Sequence, residues 1–351
     1  MRGKSATRSY NLCLLGFGNV NRTLVRLLLD RKKELSDRYG ITWKITGVAS
    51  RRLGWVAAPN GLDPMILVEG AKSNHLPHVS PPPGDVRAWL RAAHADVLFE
   101  ATSLNAQDGQ PAVDHIRAAL EAGAHAVTAN KGPVLYALET LNKLAAQHGR
   151  RFLFESTVMD GVPIFSLFRE NLPAIHLRGF RGILNSTTNV IITGMEEGLT
   201  FDESLKKAQA IGVAETDASD DIDGWDAAIK TALLARVLMG VPVKLENIKR
   251  DTIRNLTAET VKAARSEGQP YKVVCRAARI GEGVQASVRL EQVPLSDPLA
   301  HVSGTSSVVY FGTDVFPGLA ITEDNPGLEA TAYGLLADFV RAVADHKEHV
   351  K

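Results

Sequence analysis

The sequence has few of the features that mark secreted, membrane or nucleic-acid-binding proteins. Its two cysteines, Cys13 and Cys275, lie far apart and form no CxxC or CxxH spacing, so no disulfide framework is expected. The formal net charge is +1 over 351 residues, and no strong field therefore directs the chain to nucleic acid or acidic lipid. The apolar run Leu12–Gly16 is too short to span a membrane, and no signal-peptide pattern precedes it. We expect a cytoplasmic protein with no membrane or nucleic-acid partner.

The first 150 or so residues alternate short apolar runs with helical patterns. The predicted strands are 10–16, 43–49, 96–100, 126–130 and 151–156, and the predicted helices are 20–38, 111–122 and 133–148. A stretch rich in proline and glycine, Pro77–Gly84, predicts a solvated loop. This alternation predicts an α/β fold with a parallel, doubly wound sheet of the Rossmann type.

The alternation stops after about residue 157. Predicted helices at 202–211 and 223–239 are mixed with strand-like segments at 177–184, 271–278, 284–291 and 305–311. A last helical pattern covers 327–346. We therefore predict a dinucleotide-binding domain over 1–150, completed by residues 320–351, and an α+β domain over 151–319.

A glycine-rich turn joins the first predicted strand to the first predicted helix. Gly16 permits a tight turn, and Gly18 lets the backbone approach a pyrophosphate at the helix N-terminus, beside Asn19 and Val20. Asn21 stands where the third glycine of the fingerprint usually lies, so the fingerprint is incomplete. The strand–turn–helix context still favours a dinucleotide site over a plain glycine turn.

The residues that follow the second predicted strand bear on the choice of cofactor. An acid there binds the ribose 2′-hydroxyl of NAD, whereas this chain has Arg51 and Arg52. Two guanidiniums are suited to a 2′-phosphate, which favours NADP, with NAD as the alternative. The other interpretation is that both arginines are solvated loop charges.

Two further stretches carry candidate chemistry. Lys131 follows a predicted strand at the sheet edge where ligands bind, although an isolated lysine there is more often a surface residue. Residues 214–230 hold six carboxylates, and Asp226 and Lys230 lie four residues apart on one face of a largely apolar helix. A surface ion pair is the simpler interpretation, but a lysine on a buried helix requires a carboxylate or a functional pocket.

Together these stretches resemble homoserine dehydrogenase in its short form, without a C-terminal regulatory domain. The matching segments are GFGNVN (16–21), ADVLFEATS (95–103), TANKGP (128–133), FESTVMDGVPI (154–164), GILNSTTN (182–189) and GVAETDASDDIDGWDAAIK (212–230), with a looser match over 302–340. The resemblance implies NAD(P)-dependent interconversion of L-homoserine and L-aspartate 4-semialdehyde in threonine and methionine biosynthesis. It also implies a homodimer formed through the second domain.

The resemblance assigns substrate roles to five residues. Lys230 is implied to donate and accept the proton at the substrate oxygen, with Asp226 holding and tuning it. Glu215 is implied to bind the substrate ammonium, with Asp221 supporting the pocket and Thr187 lining it. A substrate that carries an ammonium requires at least one buried acid, for which we expect Glu215.

The resemblance also assigns cofactor roles. Lys131 is implied to lie beside cofactor and substrate, and Thr102 to contact the nicotinamide ribose. Near the C-terminus, residues 323–327 correspond to a glycine-rich element of the family, but only Gly327 of that element is kept. Closure of this segment over the cofactor is therefore expected to differ. Ser186 replaces a glycine common in the family, which is expected to narrow the pocket.

A monovalent cation such as sodium is bound in some relatives by one acid and backbone carbonyls. The corresponding positions are Glu155, Val158, Asp160 and Val162. Many members read TVGAG where this chain has Met159 and Asp160 within its TVMDG. Carbonyl ligation tolerates a change of side chain, so the sequence is compatible both with retention and with loss of the cation site.

Two other functions compete with homoserine dehydrogenase. One is an oxidoreductase of the same family that acts on a related amino or hydroxy acid, as Ser186 and the changed 159–160 loop would allow. The other is a non-catalytic NADP-binding regulatory protein. The joint presence of Lys131, Glu215, Asp226 and Lys230 argues against a regulator, which needs no group to transfer a proton.

Overall fold

The computed structural model describes residues 7–70, 76 and 84–344. The predicted loop Pro77–Gly84 lies outside them except for Gly84, as do residues 345–346 of the last predicted helix. The strands are β1 Arg8–Leu15, β2 Ile41–Ser50, β3 Gly54–Leu62, β4 Val97–Glu100, β5 His125–Thr128, β6 Phe152–Leu153, β7 Leu177–Ile183, β8 Lys249–Arg250, β9 Tyr271–Ile280, β10 Gly283–Gln292, β11 Ser307–Thr313 and β12 Leu319–Glu323. The helices are α1 Asn19–Asp30, α2 Lys32–Tyr39, α3 Pro64–Gly70, α4 Val86–Ala92, α5 Ala112–Glu121, α6 Lys131–Gln147, α7 Ile164–Ser166, α8 Ser186–Glu196, α9 Phe201–Ala210, α10 Ser219–Ile222, α11 Trp225–Met239, α12 Ala258–Ser266 and α13 Leu328–Val343.

The chain divides into two compact units. The N-terminal unit contains the described residues up to Val162 and from Gly327 onward, and the second unit is Pro163–Pro326. The predicted boundaries at 150/151 and 319/320 are therefore displaced. The reason is strand pairing: β6 pairs with β5 in the first sheet, and β12 pairs with β11 in the second.

The sheet of the N-terminal unit has the order β3-β2-β1-β4-β5-β6. All of its pairings are parallel except that of β3, which forms an antiparallel edge strand on β2. The strand order reverses between β1 and β4, and open α/β sheets bind ligands beyond the carboxyl ends of strands at such a point. This confirms the predicted Rossmann-type sheet and locates its ligand-binding edge.

Helix α13 packs within the N-terminal unit. Its Phe339 ring lies edge-on to Phe99 of β4 at a centroid distance of 5.8 Å and to Tyr10 of β1 at 6.0 Å. Phe339 is fully buried and belongs to the same hydrophobic core as the residues of α1 and the central strands. The C-terminal helix thus contributes to the core of the dinucleotide-binding unit.

The second unit is built on a sheet of order β12-β11-β7-β9-β10-β8. Its pairings are antiparallel except for the short parallel pair of β8 and β10. Helix α11 lies among its core elements, with Ala227, Ala228, Ile229 and the run 231–235 all buried. This confirms the predicted second α+β domain.

Candidate active site

The turn between β1 and α1 has the backbone geometry that a dinucleotide site requires. Gly16 has φ +78°, and a Cβ there would lie 2.4 Å from the carbonyl oxygen of Ala101. A Cβ built on Gly18 meets nothing within 4 Å, so the backbone is open to a ligand at that position. Helix α1 carries no acidic residue in its first turn and no side-chain cap, so its amide groups remain suited to phosphate. These features fit a nicotinamide dinucleotide.

Asn21, which replaces the third glycine, stabilises this turn. Its side chain is fully buried, and its Nδ2 donates to the carbonyls of Leu15 and Gly16, both at 3.1 Å. An amide therefore closes the turn at the position where other Rossmann folds use close packing of a glycine. The incomplete fingerprint is thus compatible with an ordered turn.

The ends of β4 and β5 bring together Thr102, Asn130 and Lys131. The Nδ2 of Asn130 donates to the Thr102 carbonyl at 3.1 Å, and its Oδ1 accepts from the Gly132 amide at 2.9 Å. The second bond makes Asn130 the N-cap of α6, whose first residue is Lys131. Gly16 is part of the same edge, because its Cβ would lie 2.7 Å from the Thr102 amide nitrogen.

Arg51 and Arg52 occupy the turn that connects β2 to β3. Both side chains are exposed, and the amide of Leu53 donates to the Ser50 hydroxyl at 3.1 Å, which closes the turn. The two guanidiniums therefore lie at the carboxyl end of β2, where the second strand of a Rossmann fold reads the cofactor ribose.

In the second unit, α11 presents Lys230 to a cluster of acids and amides. The Lys230 Nζ donates to the Leu184 carbonyl at 2.7 Å and lies 3.1 Å from Asp226 Oδ2. The side chains of Lys230 and Asp226 are 16% and 17% exposed. The predicted i, i+4 pair is therefore formed and largely withdrawn from water, which an ordinary surface ion pair is not.

Asn185 links this pair to a second carboxylate, a role that the sequence analysis missed. Its Nδ2 donates to Asp221 Oδ1 at 2.6 Å and to Asp226 Oδ2 at 2.9 Å. Its Oδ1 accepts from the Thr188 amide at 2.8 Å, so the same side chain caps α8. The signal was present in the sequence, since an asparagine that precedes a helical segment is a preferred N-cap.

Asp221 has the perturbed acidity expected at such a site. Burial raises its pKa above the ordinary value and the charge of Asp226 adds to the rise, while bonds from Asn185 and Thr187 and the charge of Lys230 oppose it. The Thr187 hydroxyl also lies 3.2 Å from the Val213 carbonyl oxygen, and the residue is only 3% exposed. The structure thus brings Asp221, Asp226, Lys230, Thr187 and Asn185 together.

Glu215 departs from its expected environment, because its side chain is exposed rather than buried. The Gln209 Nε2 of α9 donates to the backbone carbonyls of Glu215 and Thr216, both at 3.2 Å. These bonds fix the backbone at this position while the Glu215 carboxylate stays accessible to water. The prediction of a buried acid at this position is wrong.

The region of the expected cation contains more charge than the sequence suggested. Glu155 is 3% exposed, and its Oε2 lies 3.5 Å from Arg341 Nη1, while its amide donates to Asp338 Oδ2 at 2.7 Å. Burial raises the pKa of Asp338 to about 7, and the Glu155 charge adds to the rise. Asp160 accepts a hydrogen bond from the Thr331 hydroxyl.

None of the helices described is long and apolar enough to cross a membrane. Over the same residues, His, Cys, Asp and Glu form no group of three or more suited to a metal ion.

The chain matches two family models along most of its length. Residues 16–155 match the NAD-binding domain of homoserine dehydrogenase, and residues 163–340 match the homoserine dehydrogenase family itself. An NAD(+)-dependent homoserine dehydrogenase of Pseudomonas canavaninivorans is 34% identical, covering 94% of this chain and 95% of the relative. A crystal structure from Archaeoglobus fulgidus superposes with a TM-score of 0.82 at 29% identity, covering 96% of this chain and 100% of that one. A homoserine dehydrogenase from Thiobacillus denitrificans superposes with a TM-score of 0.79 at 28% identity, covering 96% of this chain and 74% of its own.

A Rossmann unit with an open glycine turn, joined to a second unit that holds a lysine–carboxylate cluster, defines a nicotinamide-dependent oxidoreductase. The chain belongs to the homoserine dehydrogenase family. The family resemblance seen in the sequence is thereby confirmed.

Proposed function

We propose that this chain interconverts homoserine and aspartate semialdehyde, with Lys230 moving the proton at the substrate oxygen. The nicotinamide supplies or accepts the hydride when bound. The protein must then transfer one proton and stabilise the developing oxyanion, and a positioned ammonium does both. The observation that supports this role is the Lys230 Nζ, held 2.7 Å from the Leu184 carbonyl and 3.1 Å from Asp226 in a site largely shielded from water.

The neighbouring groups take supporting roles in this proposal. Asp226 orients Lys230 and balances its charge, and Asp221 supports the pocket together with Thr187. Glu215 is proposed to bind the substrate ammonium from an exposed position, so its charge acts across a partly hydrated contact. Such a contact contributes mainly to substrate binding rather than to the chemical step.

On the N-terminal unit, cofactor binding is proposed for the glycine turn and the neighbouring edge. Gly16, Gly18, Asn19 and Val20 receive the pyrophosphate, and Thr102 contacts the nicotinamide ribose. Lys131 is proposed to act beside cofactor and substrate. Gly327, which precedes α13, is proposed as a further cofactor contact, and a Cβ built on it would meet nothing within 4 Å.

NADP is the proposed cofactor, bound through Arg51 or Arg52. Both arginines are exposed at the end of β2, where they can reach a 2′-phosphate. The relative from Pseudomonas canavaninivorans is named as NAD(+)-dependent, which keeps NAD as the alternative. Homoserine oxidation measured with NADP and NAD side by side tests the activity and the preference in one experiment.

A monovalent cation at Glu155, Val158, Asp160 and Val162 remains a proposal. The Arg341 guanidinium, whose Nη1 lies 3.5 Å from Glu155 Oε2, opposes a cation near that carboxylate. Titration of the protein with sodium tests whether a cation binds there.

Two alternatives predict different outcomes. A relative with a drifted substrate would oxidise a homoserine analogue faster than homoserine, and Ser186 motivates that comparison because its hydroxyl bonds to the Thr305 carbonyl at 3.0 Å. A regulatory protein would bind cofactor without any turnover.

We further propose a cytoplasmic homodimer formed through the second unit, whose exposed Val315 and Phe316 supply apolar surface. Sedimentation at several concentrations measures this assembly.

A further inference from the structure

A buried carboxylate lies at the cofactor-binding edge of the N-terminal unit and has no role in the chemistry proposed above. Glu100 is the last residue of β4, and its side chain is 0% exposed. Within the described residues, its single basic neighbour in ion-pair range is His115, whose Nδ1 lies 4.0 Å from Oε1. A buried acid without a lysine or arginine must be satisfied by hydrogen bonds.

Those hydrogen bonds all come from the edge that holds the proposed cofactor residues. Oε1 accepts from the Thr102 amide at 3.0 Å and from the Thr102 hydroxyl, and Oε2 accepts from the Thr128 hydroxyl at 2.7 Å. The Thr128 hydroxyl in turn accepts from the Asn130 amide at 2.9 Å. The Thr102 amide and both threonine hydroxyls can donate to Glu100, so these contacts can satisfy a carboxylate, a group that only accepts.

The location gives this charge a consequence. Glu100 ends the strand beside β1 at the point where the strand order reverses, and its partner Thr102 adjoins Gly16. An oxidised nicotinamide ring carries a positive charge, and the reduced ring is neutral. In a water-poor interior a fixed negative charge distinguishes these two forms more strongly than it would in water.

We propose that Glu100 is a positioning residue that orders Thr102 and Asn130, and that its charge favours the oxidised cofactor over the reduced one. The inference rests on the proposed cofactor role of Thr102. In this proposal Glu100 changes the relative affinity for the oxidised and reduced cofactor without touching the reacting atoms.

The Glu100→Gln variant removes the charge and can keep the shape. The Gln oxygen can accept from Thr102, and its amide can face Thr128. The Thr128 hydroxyl can then donate to the backbone carbonyl of residue 100, which is already 3.0 Å away. We expect the dissociation constant of NADP+ to rise roughly tenfold relative to that of NADPH, measured by fluorescence titration. NAD+ and NADH are titrated in parallel.

Thr128→Val is the matched control, because it removes one hydrogen bond and leaves the charge in place. It should change both dissociation constants by the same factor. An unchanged ratio in Glu100→Gln would overturn the inference, and failure of the wild-type protein to bind either cofactor would instead refute the proposed function. If the Gln variant does not fold, the smaller neutral variant Glu100→Asn is titrated in the same way: a raised ratio supports the charge effect, and an unchanged ratio overturns it.

Discussion

Lys230→Met is the perturbation that tests the proposed chemistry most directly. Methionine keeps an unbranched apolar stem on the buried helix α11 but removes the ammonium. If Lys230 transfers the proton, kcat should fall by roughly two to four orders of magnitude, which is the range for lost acid–base assistance. That corresponds to about 3–5 kcal/mol of transition-state stabilisation.

The structure also predicts what this variant does to stability. The Leu184 carbonyl loses its donor, and Asp226 loses a partner at 3.1 Å. Because Lys230 lowers the pKa of Asp221, its removal should raise that pKa further, so Asp221 can protonate instead of remaining buried and charged. We therefore expect a loss of about 1–3 kcal/mol in the free energy of unfolding.

Homoserine oxidation is followed by the absorbance of the reduced cofactor, with cofactor affinity measured separately by titration. Lys207→Met is the control, since Lys207 forms an exposed ion pair with Glu197 at 2.9 Å. Lys230→Arg separates two mechanisms, because arginine keeps the charge but stays protonated. A near-normal kcat in Lys230→Met would refute the assignment and make Lys131 the better candidate. Activity in Lys230→Arg would show that charge alone suffices.

Four further predictions concern the cofactor residues, the other residues of the candidate site and Asp338. Replacing Arg51 and Arg52 with glutamine should raise the KM for NADP at least about tenfold and barely change that for NAD; equal effects would exclude them as readers of the 2′-phosphate. Glu215→Gln should raise the KM for homoserine with little change in kcat, and a selective loss of kcat would contradict its binding role. Asn185→Ala removes the amide that links Asp221 to Asp226, so it should lower kcat and reduce the free energy of unfolding by about 1–3 kcal/mol. Steady-state kinetics and urea titration measure the two effects, and wild-type values would show that the Asn185 contacts are dispensable. The pKa of Asp338 is about 7 in the folded chain against 3.8 ordinarily, so between these pH values the folded state binds a proton that the unfolded state has lost. The free energy of unfolding should therefore fall as pH rises from about 4 to 7. Asp338→Asn should reduce the change in melting temperature over this pH range, and an unchanged slope would show that another group is responsible.

The architecture could be predicted because its signals are local and periodic. The strands that became β1, β4 and β5 are short apolar runs followed by turn residues, and parallel buried strands read in that way. Edge strand β3 was missed because Pro59, Asn60 and Gly61 interrupt its pattern, which an edge position tolerates. The predicted helix 20–38 is two helices in the structure, separated at Arg31, whose backbone leaves the helical region.

Helix α8 shows a different limit of sequence reasoning. Its Thr187, Thr188, Val190, Ile191 and Ile192 are β-branched and disfavour a helix on propensity alone. Tertiary burial and the Asn185 cap overcome that preference. The same cap donates to two acids of the candidate site, so a residue that local rules identify only as a helix start also organises that cluster.

The acidic segment 214–230 explains why a count of carboxylates does not identify a site. Asp217 is exposed and accepts from the Ser219 amide at 3.0 Å, and Asp223 pairs with exposed Arg254 at 2.7 Å, so the pKa of each acid lies below its ordinary value. Asp221 shares the segment, yet burial raises its pKa because it lies against a helix cap and a second acid instead of water. Asp217 and Asp223 are already stabilised as anions by their partners, whereas Asp221, with its raised pKa, is stabilised further by any added positive charge. The surroundings of each carboxylate, set by α8 and α11, therefore distinguish the acids of the candidate site from the solvated acids of the same segment. Those surroundings form only when residues more than thirty positions apart in the sequence come into contact.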